Sequence, residues 1–246
     1  RIRDLITAKP QVSVDDLAAM QTDVACPLAA ELMPLMLRVM DQRFSATPEA
    51  PVRDILAQWD YRMAAQSAAA SIYETTYLNL LENIFKDELG PALYRRSIGL
   101  TVFAPRALRH ILRTGRSGWL DDVGTPQTET LADAVEKSLR QALTDLRNRF
   151  GADVKRWTWV RLHTLTFRHP LGERKPLDRL FDLGPHPTSG SHLTVEKKQY
   201  DDKRPFTVRG GVSQRMCVDR ANPAGAQHVL PPGESGLLGN APNSEQ

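Results

Sequence analysis

The sequence lacks the residue patterns of several common enzyme classes. Its 246 residues include two cysteines, Cys26 and Cys217, and the CxxC, HExxH, GxSxG, GxGxxG and Walker A patterns are all missing. Zinc proteolysis, dinucleotide binding, phosphate-loop chemistry and a serine-hydrolase elbow therefore have no support in the sequence. The two cysteines are compatible with one disulfide or with two buried thiols, so they leave the cellular compartment open.

The sequence also lacks a long hydrophobic run. The longest candidate, residues 28–40, is interrupted by Glu31, Pro34 and Arg38, whereas a bilayer-spanning helix needs about 20 apolar residues. We therefore expect no membrane partner. Because the chain begins at Arg1 without a signal-peptide pattern, we expect it to be an internal piece of a longer protein.

Neither sign of charge is in large excess. The chain has 32 Lys and Arg against 29 Asp and Glu, with a formal net charge of +3. The densest basic stretch, residues 196–204, contains three acidic residues of its own and is typical of a solvated loop. We therefore do not expect nucleic acid as a partner.

The first two thirds of the sequence predict helices, because apolar residues recur there every three or four positions. Ser13 is a predicted N-cap with Asp15 and Asp16 in the first turn, where the helix dipole favours negative charge. Gly151 is a predicted C-cap. The predicted helices cover residues 14–21, 28–44, a short segment around 52–59, 64–89 (ending at Gly90 and Pro91), 105–113 and 131–150.

After residue 150 the pattern changes. Residues 157–172, which we call the hinge stretch, concentrate two Trp, a Phe and two His and end on a His-Pro-Leu-Gly turn. Beyond a polar loop, three strands are predicted at 205–209, 212–219 and 226–230, as an antiparallel meander with a turn at 221–225. The sequence thus predicts an α+β fold with a helical region (1–150), the hinge stretch and loops (151–204) and C-terminal strands (205–246).

Two groups of residues in the chain resemble metal ligands. His163 and His169 lie six residues apart, which does not fit a helical metal pair, and no third ligand is apparent. We interpret both as structural, with a ring nitrogen bound to backbone and the ring packed on Trp157 or Phe167. The Asp121-Asp122 pair lacks the ligand spacing of a calcium loop and is interpreted as solvated or helix-capping.

One turn near the end of the chain is a candidate ligand-binding position. Residues 231–236, PPGESG, place the carboxylate of Glu234 between glycines directly after a predicted strand. Glycines allow a ligand to approach the backbone closely. A plain turn is the alternative interpretation.

Nine segments, taken in order, carry a family resemblance. They are SVDDLAAMQTD (13–23), LAQWD (56–60), SIYE (71–74), SGWLDD (117–122), TPQTET (125–130), FGADVKRWTWVRLHTLTFRHPLG (150–172), LFDLGPHPTSGSHLTV (180–195), GGVSQRMCVD (210–219) and HVLPPGESG (228–236). Together they resemble the later part of the β chain of the penicillin acylase (penicillin amidase) family of N-terminal nucleophile hydrolases. The chain departs from the family pattern at Val160, at Glu234 and in the tail after Gly236.

The resemblance implies part of an αββα hydrolase that cleaves amide bonds. Such a precursor cuts itself to expose a Ser whose α-amine acts as general base, while a backbone N–H and an Asn stabilise the oxyanion. The family places these groups upstream of the segment that matches here. We therefore expect the catalytic residues to lie before Arg1, and we assign no catalytic, cofactor-binding or metal residue in this chain.

The resemblance also implies the partners and the compartment. The substrate is expected to be a small N-acyl amide (a β-lactam side chain, an acyl-homoserine lactone or an acyl peptide), and the α chain of the same precursor is the expected protein partner. No cofactor is expected; some family members bind a structural calcium, whose ligands are not identifiable in this sequence. Export to the periplasm or beyond is expected.

Two other functions remain open at the level of residues alone. A non-enzymatic α+β scaffold or interaction domain shares this composition. A basic nucleic-acid-binding module is disfavoured, because acidic and basic residues are interspersed.

Overall fold

The computed structural model describes residues 1–44, 47–98, 103–201 and 204–230. The chain forms two compact units. The helical unit comprises residues 26–162, and the sheet unit combines residues 1–25 with residues from 163 onward. The α+β class is confirmed. That the three predicted regions belong to one larger hydrolase domain stays a prediction.

The helices agree with the sequence pattern over most of the first 150 residues. They are α1 (Ile2–Thr7), α2 (Val14–Gln21), α3 (Pro27–Phe44), α4 (Ala50–Ala57), α5 (Ala68–Ile98), α6 (Phe103–Thr114), α7 (Leu131–Phe150), α8 (Trp159–Leu162) and α9 (Asp178–Phe181). Short 3₁₀ turns occur at Gly118–Leu120, Val154–Arg156 and Pro170–Glu173. In the described part of the chain, no helix combines the length and hydropathy of a bilayer-spanning segment.

Helix α2 has the predicted bounds because a local cap defines its start. The Ser13 hydroxyl accepts a hydrogen bond from the Asp16 amide at 3.1 Å, and the Asp16 carboxylate accepts one from the Ser13 amide at 3.0 Å. This reciprocal pair satisfies amides that have no partner within the helix. The hydrogen bonds from Ser13 and Lys9 lower the pKa of Asp16 to about 2.

Helix α7 also has the predicted bounds. Thr130 and Asp133 form the same reciprocal cap at its start. At its end Gly151 adopts φ 86°, and its amide donates to the Arg147 carbonyl at 2.8 Å. Glycine adopts this left-handed conformation without a steric penalty from Cβ.

The predicted end of the helix after residue 64, at Gly90 and Pro91, is confirmed. Gly90 has φ 69° and leaves the helical conformation, and a second helical segment then runs to Ile98, so α5 consists of two segments. Pro91 occupies the first turn of the second segment, where its missing N–H costs nothing. The same two residues that end one helical segment therefore start the next.

The core of the helical unit lies where α7 packs on α5 and α3. Its largest side chains with less than 2% exposure include Trp157 and Trp159 of the hinge stretch, and the Trp157 indole donates to the Gly151 carbonyl at 2.8 Å. Other buried core residues are Phe44, Met33, Met36, Ile72, Tyr73, Leu80, Val135, Leu139 and Leu146. Between α5 and α7, Asn83 donates to the hydroxyl of the buried Ser138 at 2.9 Å.

In the described part of the sheet unit, six strands form two separate sheets. They are β1 (Thr164–Phe167), β2 (Leu183–Pro187), β3 (Lys198–Asp201), β4 (Arg204–Gly211), β5 (Arg215–Asp219) and β6 (Asn222–Val229). The four-stranded sheet has the order β2-β1-β4-β3, with β1 and β4 parallel and the other pairs antiparallel. Strands β5 and β6 form an antiparallel hairpin of their own.

The predicted meander is wrong, although its three strands exist. Strand β4 pairs with β1 and β3, whereas β5 pairs with β6 in the other sheet. The turn predicted at 221–225 is also wrong. The Asp219 carboxylate accepts the Ala221 amide at 2.8 Å, which closes a tight turn so that β6 already begins at Asn222. Strand β1 lies in the hinge stretch, and β2 and β3 lie in segments that the sequence predicted as loop.

Replacing Thr130 by Ala tests the cap of α7. The free energy of unfolding is expected to fall by about 1 kcal/mol, because the Asp133 amide loses its acceptor. Thr144→Ala, within the same helix and exposed, is the matched control and is expected to be neutral or slightly stabilising because Ala has the higher helix propensity. Urea unfolding measures both; equal losses in the two variants would contradict the assigned cap.

Candidate functional site

His163 is a buried structural residue, as predicted. It is fully buried, and its Nδ1 lies 2.8 Å from the carbonyl oxygen of Phe206 on β4. Because a carbonyl can only accept, Nδ1 carries the proton. The ring contacts Tyr200 of β3 edge-on, with ring centroids 6.1 Å apart, a neighbour that the sequence did not predict.

His169 is structural as well, but it is exposed. Its Nδ1 accepts the Leu171 amide at 3.1 Å and thereby caps the 3₁₀ turn Pro170–Glu173. The ring stacks on Phe181, with centroids 5.0 Å apart and an interplanar angle of 24°, rather than on Phe167. The structure thus does not bring the two histidines of the hinge stretch to a common ligand, and no cluster of three metal-binding side chains occurs among the residues it describes.

Tyr200 is the centre of an aromatic and imidazole cluster. Its ring lies 5.5 Å from Phe206 and 5.5 Å from His192, in addition to His163. Burial lowers the pKa of both His163 and His192 to about 4, with the positive charge of a nearby lysine adding to the effect. Both imidazoles are therefore neutral near pH 7 and contribute shape and hydrogen bonding rather than charge.

A second polar cluster surrounds Glu196, which is 7% exposed. Its carboxylate accepts the Ser189 hydroxyl at 2.9 Å and lies 3.9 Å from Lys198 and 3.7 Å from Arg215. Its amide donates to the Asp23 carbonyl at 3.0 Å. One carboxylate therefore connects residues that are far apart in sequence, and its burial is compensated by two cations and a hydroxyl.

The loop before β3 depends on a glycine. Gly190 has φ 76°, and a Cβ at this position would lie 2.3 Å from the carbonyl oxygen of Glu196. The Thr194 hydroxyl donates to that same carbonyl at 2.5 Å. No larger residue fits there without moving the backbone that holds Glu196.

The interpretation of residues 196–204 as a solvated loop is wrong for its first part. Glu196 is buried, Lys198 has a side chain 15% exposed, and the segment enters β3. Burial lowers the pKa of Lys198, and the neighbouring Glu196 opposes that shift. The local sequence did not reveal this burial, because Glu196 is buried through contacts with Ser189, Arg215 and Asp23, which lie in other segments.

The Asp121-Asp122 loop is organised by its own carboxylates, in agreement with a structural role. Asp122 accepts the Gly124 amide at 3.0 Å and pairs with Lys137 at 3.0 Å, and these contacts lower its pKa. The Glu129 carboxylate in turn accepts the Asp122 amide at 2.8 Å.

Both cysteines are free and buried. Burial raises the pKa of Cys26 to about 12, so its thiol stays protonated. The Cys217 sulfur receives a contact from the Gln21 amide group at 3.0 Å. Of the two alternatives left open by the sequence, the structure therefore selects two buried thiols.

The contacts of these histidines and carboxylates stabilise the fold. Among the described residues, the hydrogen bonds of His163, His169 and Glu196 go to backbone, a hydroxyl or a cation of the fold itself. Glu234, the candidate carboxylate of the PPGESG turn, lies outside the described residues. Sequence reasoning missed the Tyr200 and Glu196 clusters because their members come together through pairing of distant segments.

The fold, with a helical region followed by short strands, agrees with the family to which the chain belongs. Residues 1–246 match the model of the penicillin amidase family. The chain is a member of that family.

Particular relatives are acyl-homoserine lactone acylases named QuiP. The chain is 30% identical to that of Pseudomonas syringae pv. syringae over 239 residues and 30% identical to that of P. syringae pv. tomato over 237 residues. The P. aeruginosa protein is 27% identical over 248 residues. Each alignment covers 89% of this chain and 28% to 29% of the relative, so the chain spans less than a third of the length of these relatives.

The two hinge histidines are expected to differ in their contribution to stability. His163→Ala removes a buried ring and leaves the Phe206 carbonyl without its donor, so the loss is expected to be about 3 kcal/mol. His169→Ala removes an exposed cap and is expected to cost about 1 kcal/mol or less. Denaturant midpoints measured side by side test this; losses of equal size would contradict the different burial of the two rings.

Stability is expected to depend on pH through the buried imidazoles. A histidine with a folded-state pKa of about 4 and an unfolded value near 6.5 contributes stability that is present above pH 6.5. That contribution is lost as the pH falls from 6.5 toward 4, because only the unfolded chain gains the proton readily.

His192→Gln removes one of these groups. Unfolding free energies at pH 7, 5.5 and 4.5 are expected to fall less steeply for this variant than for the wild type. Gln199→Ala, which removes no ionisable group, is the control and should parallel the wild type. A His192→Gln profile parallel to the wild type would contradict the lowered pKa of this ring in the folded state.

Proposed function

We propose that the chain is part of an enzyme that hydrolyses the amide bond of N-acyl-homoserine lactones. The observation that supports this most directly is the 30% identity over 89% of the chain to a protein named as an acyl-homoserine lactone acylase. Membership of the penicillin amidase family supports the same class of reaction. It also makes an enzyme a better proposal than a non-enzymatic scaffold domain.

In this proposal the nucleophile is an N-terminal Ser outside the described segment. Its hydroxyl attacks the acyl carbonyl while its α-amine accepts the proton, and the amine of homoserine lactone leaves with a proton. Water then hydrolyses the acyl-enzyme ester and releases the fatty acid. A backbone N–H and an Asn side chain stabilise the tetrahedral oxyanion.

The proposed role of the present chain is structural support of that site. The neutral, hydrogen-bonded state of His163 and the internally paired charge of Glu196 suit a rigid scaffold better than proton transfer. We further propose that the α chain of the same precursor is the protein partner and that the protein is exported, to the periplasm or beyond.

The reaction can be tested on the native protein with N-octanoyl- and N-dodecanoyl-homoserine lactone. Mass spectrometry is expected to show free homoserine lactone and the fatty acid. Detection of only the ring-opened N-acyl-homoserine would indicate a lactonase and overturn the proposal. Penicillin G, as a second amide, measures whether a β-lactam side chain is cleaved at a comparable rate.

Two controls separate the proposed nucleophile from contaminating activity. Replacing the N-terminal Ser of the β chain by Ala is expected to lower turnover by at least about a thousandfold, because no acyl-enzyme forms. Residues 1–246 expressed by themselves are expected to give no turnover, since the proposed nucleophile is not among them. Turnover by this segment would contradict the proposed location of the active site.

A further inference from the structure

The longest stretch without an acidic residue is strongly basic. Residues 89–120 contain six Arg and one His but no Asp or Glu, with Glu88 before the stretch and Asp121 after it. The whole chain has a net charge of +3, so this stretch carries +6 and the remainder carries −3. The average composition therefore conceals a local excess of positive charge within the helical unit.

Helix α6 presents part of this charge on its outer side. Leu108, Ile111 and Leu112 are buried against the helical unit. On the opposite side Arg106 and His110 are exposed, four residues and about one turn apart. The helix is thus amphipathic, with an apolar side in the core and a basic side in solvent.

Two of the arginines are already neutralised within the fold. Arg109 and Arg113 bond the carboxylate of Glu31 on α3, at 2.8 and 2.6 Å.

The other four arginines are Arg95 and Arg96 at the end of α5, Arg106 on α6 and Arg116 just after it. These four are exposed, and none of the carboxylates in the described ranges pairs with them.

Exposed apolar side chains occur close to the four arginines in sequence. Phe103 is 68% exposed, the highest value for a large hydrophobic residue in the described part of the chain, and it lies in sequence between Arg96 and Arg106. Leu93 is 51% exposed and Trp119 is 40% exposed. Exposed aromatic and aliphatic groups beside arginines are typical of surfaces that insert shallowly at the headgroup level of a bilayer.

We propose that Arg95, Arg96, Phe103, Arg106 and Arg116, here called the arginine surface, bind the protein peripherally to a membrane rich in anionic phospholipid. The cations contact lipid phosphates, and Phe103 enters the acyl boundary. A nucleic acid would engage the charges equally well but would leave the exposed Phe103 and Leu93 in water. This proposal replaces the expectation from the sequence that a membrane is not a partner, which rested on the lack of a bilayer-spanning run and does not bear on peripheral binding. It does not depend on the proposed function.

Vesicle flotation of the native protein tests the arginine surface. The protein is expected to float with vesicles of phosphatidylcholine containing 30% phosphatidylglycerol, and not with phosphatidylcholine alone. Raising the salt from 20 to 500 mM is expected to weaken binding, because screening shortens the range of the attraction. Absence of binding to the anionic vesicles at low salt overturns the proposal.

Matched variants assign the binding to these residues. Replacing Arg95, Arg96, Arg106 and Arg116 together by Gln is expected to lower the partition coefficient at least about 50-fold, since each basic residue near an anionic surface contributes roughly fivefold. The control replaces four other exposed arginines, Arg3, Arg147, Arg174 and Arg179, by Gln. It makes the same change in net charge and is expected to bind within about twofold of the wild type. Equal losses in the two variants overturn the proposal.

A third variant distinguishes lipid from nucleic acid. Phe103→Ser is expected to weaken vesicle binding several-fold while leaving the thermal midpoint unchanged, because this side chain is exposed in the folded state. Binding of a short DNA duplex is measured in parallel. Tighter binding to DNA than to vesicles, with no effect of Phe103→Ser on either, identifies a nucleic-acid surface and overturns the lipid assignment.

Discussion

The hydrogen bond from the His163 imidazole to the Phe206 carbonyl stabilises the sheet unit where strands β1 and β4 pair in parallel. It joins the residue before β1 to strand β4, the strand with which β1 forms its parallel pairing. Parallel strands cannot be joined by a hairpin, so a long connection has to be ordered before they meet. Phe206 itself has φ 71°, a conformation that costs a non-glycine residue about 1–3 kcal/mol. The buried hydrogen bond and the burial of the Phe206 ring offset that cost.

The charges inside the sheet unit follow the same constraint. A buried carboxylate is expensive unless cations and donors compensate it, and Glu196 has Lys198, Arg215 and the Ser189 hydroxyl around it. These partners come from three different segments. The arrangement keeps the segments in register, and it leaves little freedom for the carboxylate to exchange a proton with a substrate. This is the behaviour of a structural residue, and it agrees with the proposed role of the chain as support for an active site.

In the helical unit, some arginines are paired with a carboxylate and others are exposed to solvent. Arg109 and Arg113 share Glu31 across two helices, whereas Arg95, Arg96 and Arg106 face water. Uncompensated arginines cost no desolvation while exposed, so the fold tolerates them without gaining stability from them. Such exposed arginines remain available to a partner, here proposed to be an anionic membrane. The net charge of the whole chain does not reveal these arginines, because acidic residues elsewhere balance their positive charge.

Local structure could be predicted from the sequence and long-range pairing could not. Helices α2 and α7 have their predicted bounds because caps such as Ser13 with Asp16, and Gly151, act within one helical turn. Backbone and cap contacts for His169 follow from its neighbours in the chain. By contrast, His163 bonds Phe206, which lies 43 positions away. Glu196 contacts Arg215 on β5 and the carbonyl of Asp23 near the start of the chain. The sequence by itself determined the α+β class, the family and most of the helices. The tertiary structure alone decided that β4 leaves the expected meander, that residues 196–198 are buried, and which arginines remain exposed, because burial and strand pairing depend on which distant segments pack together.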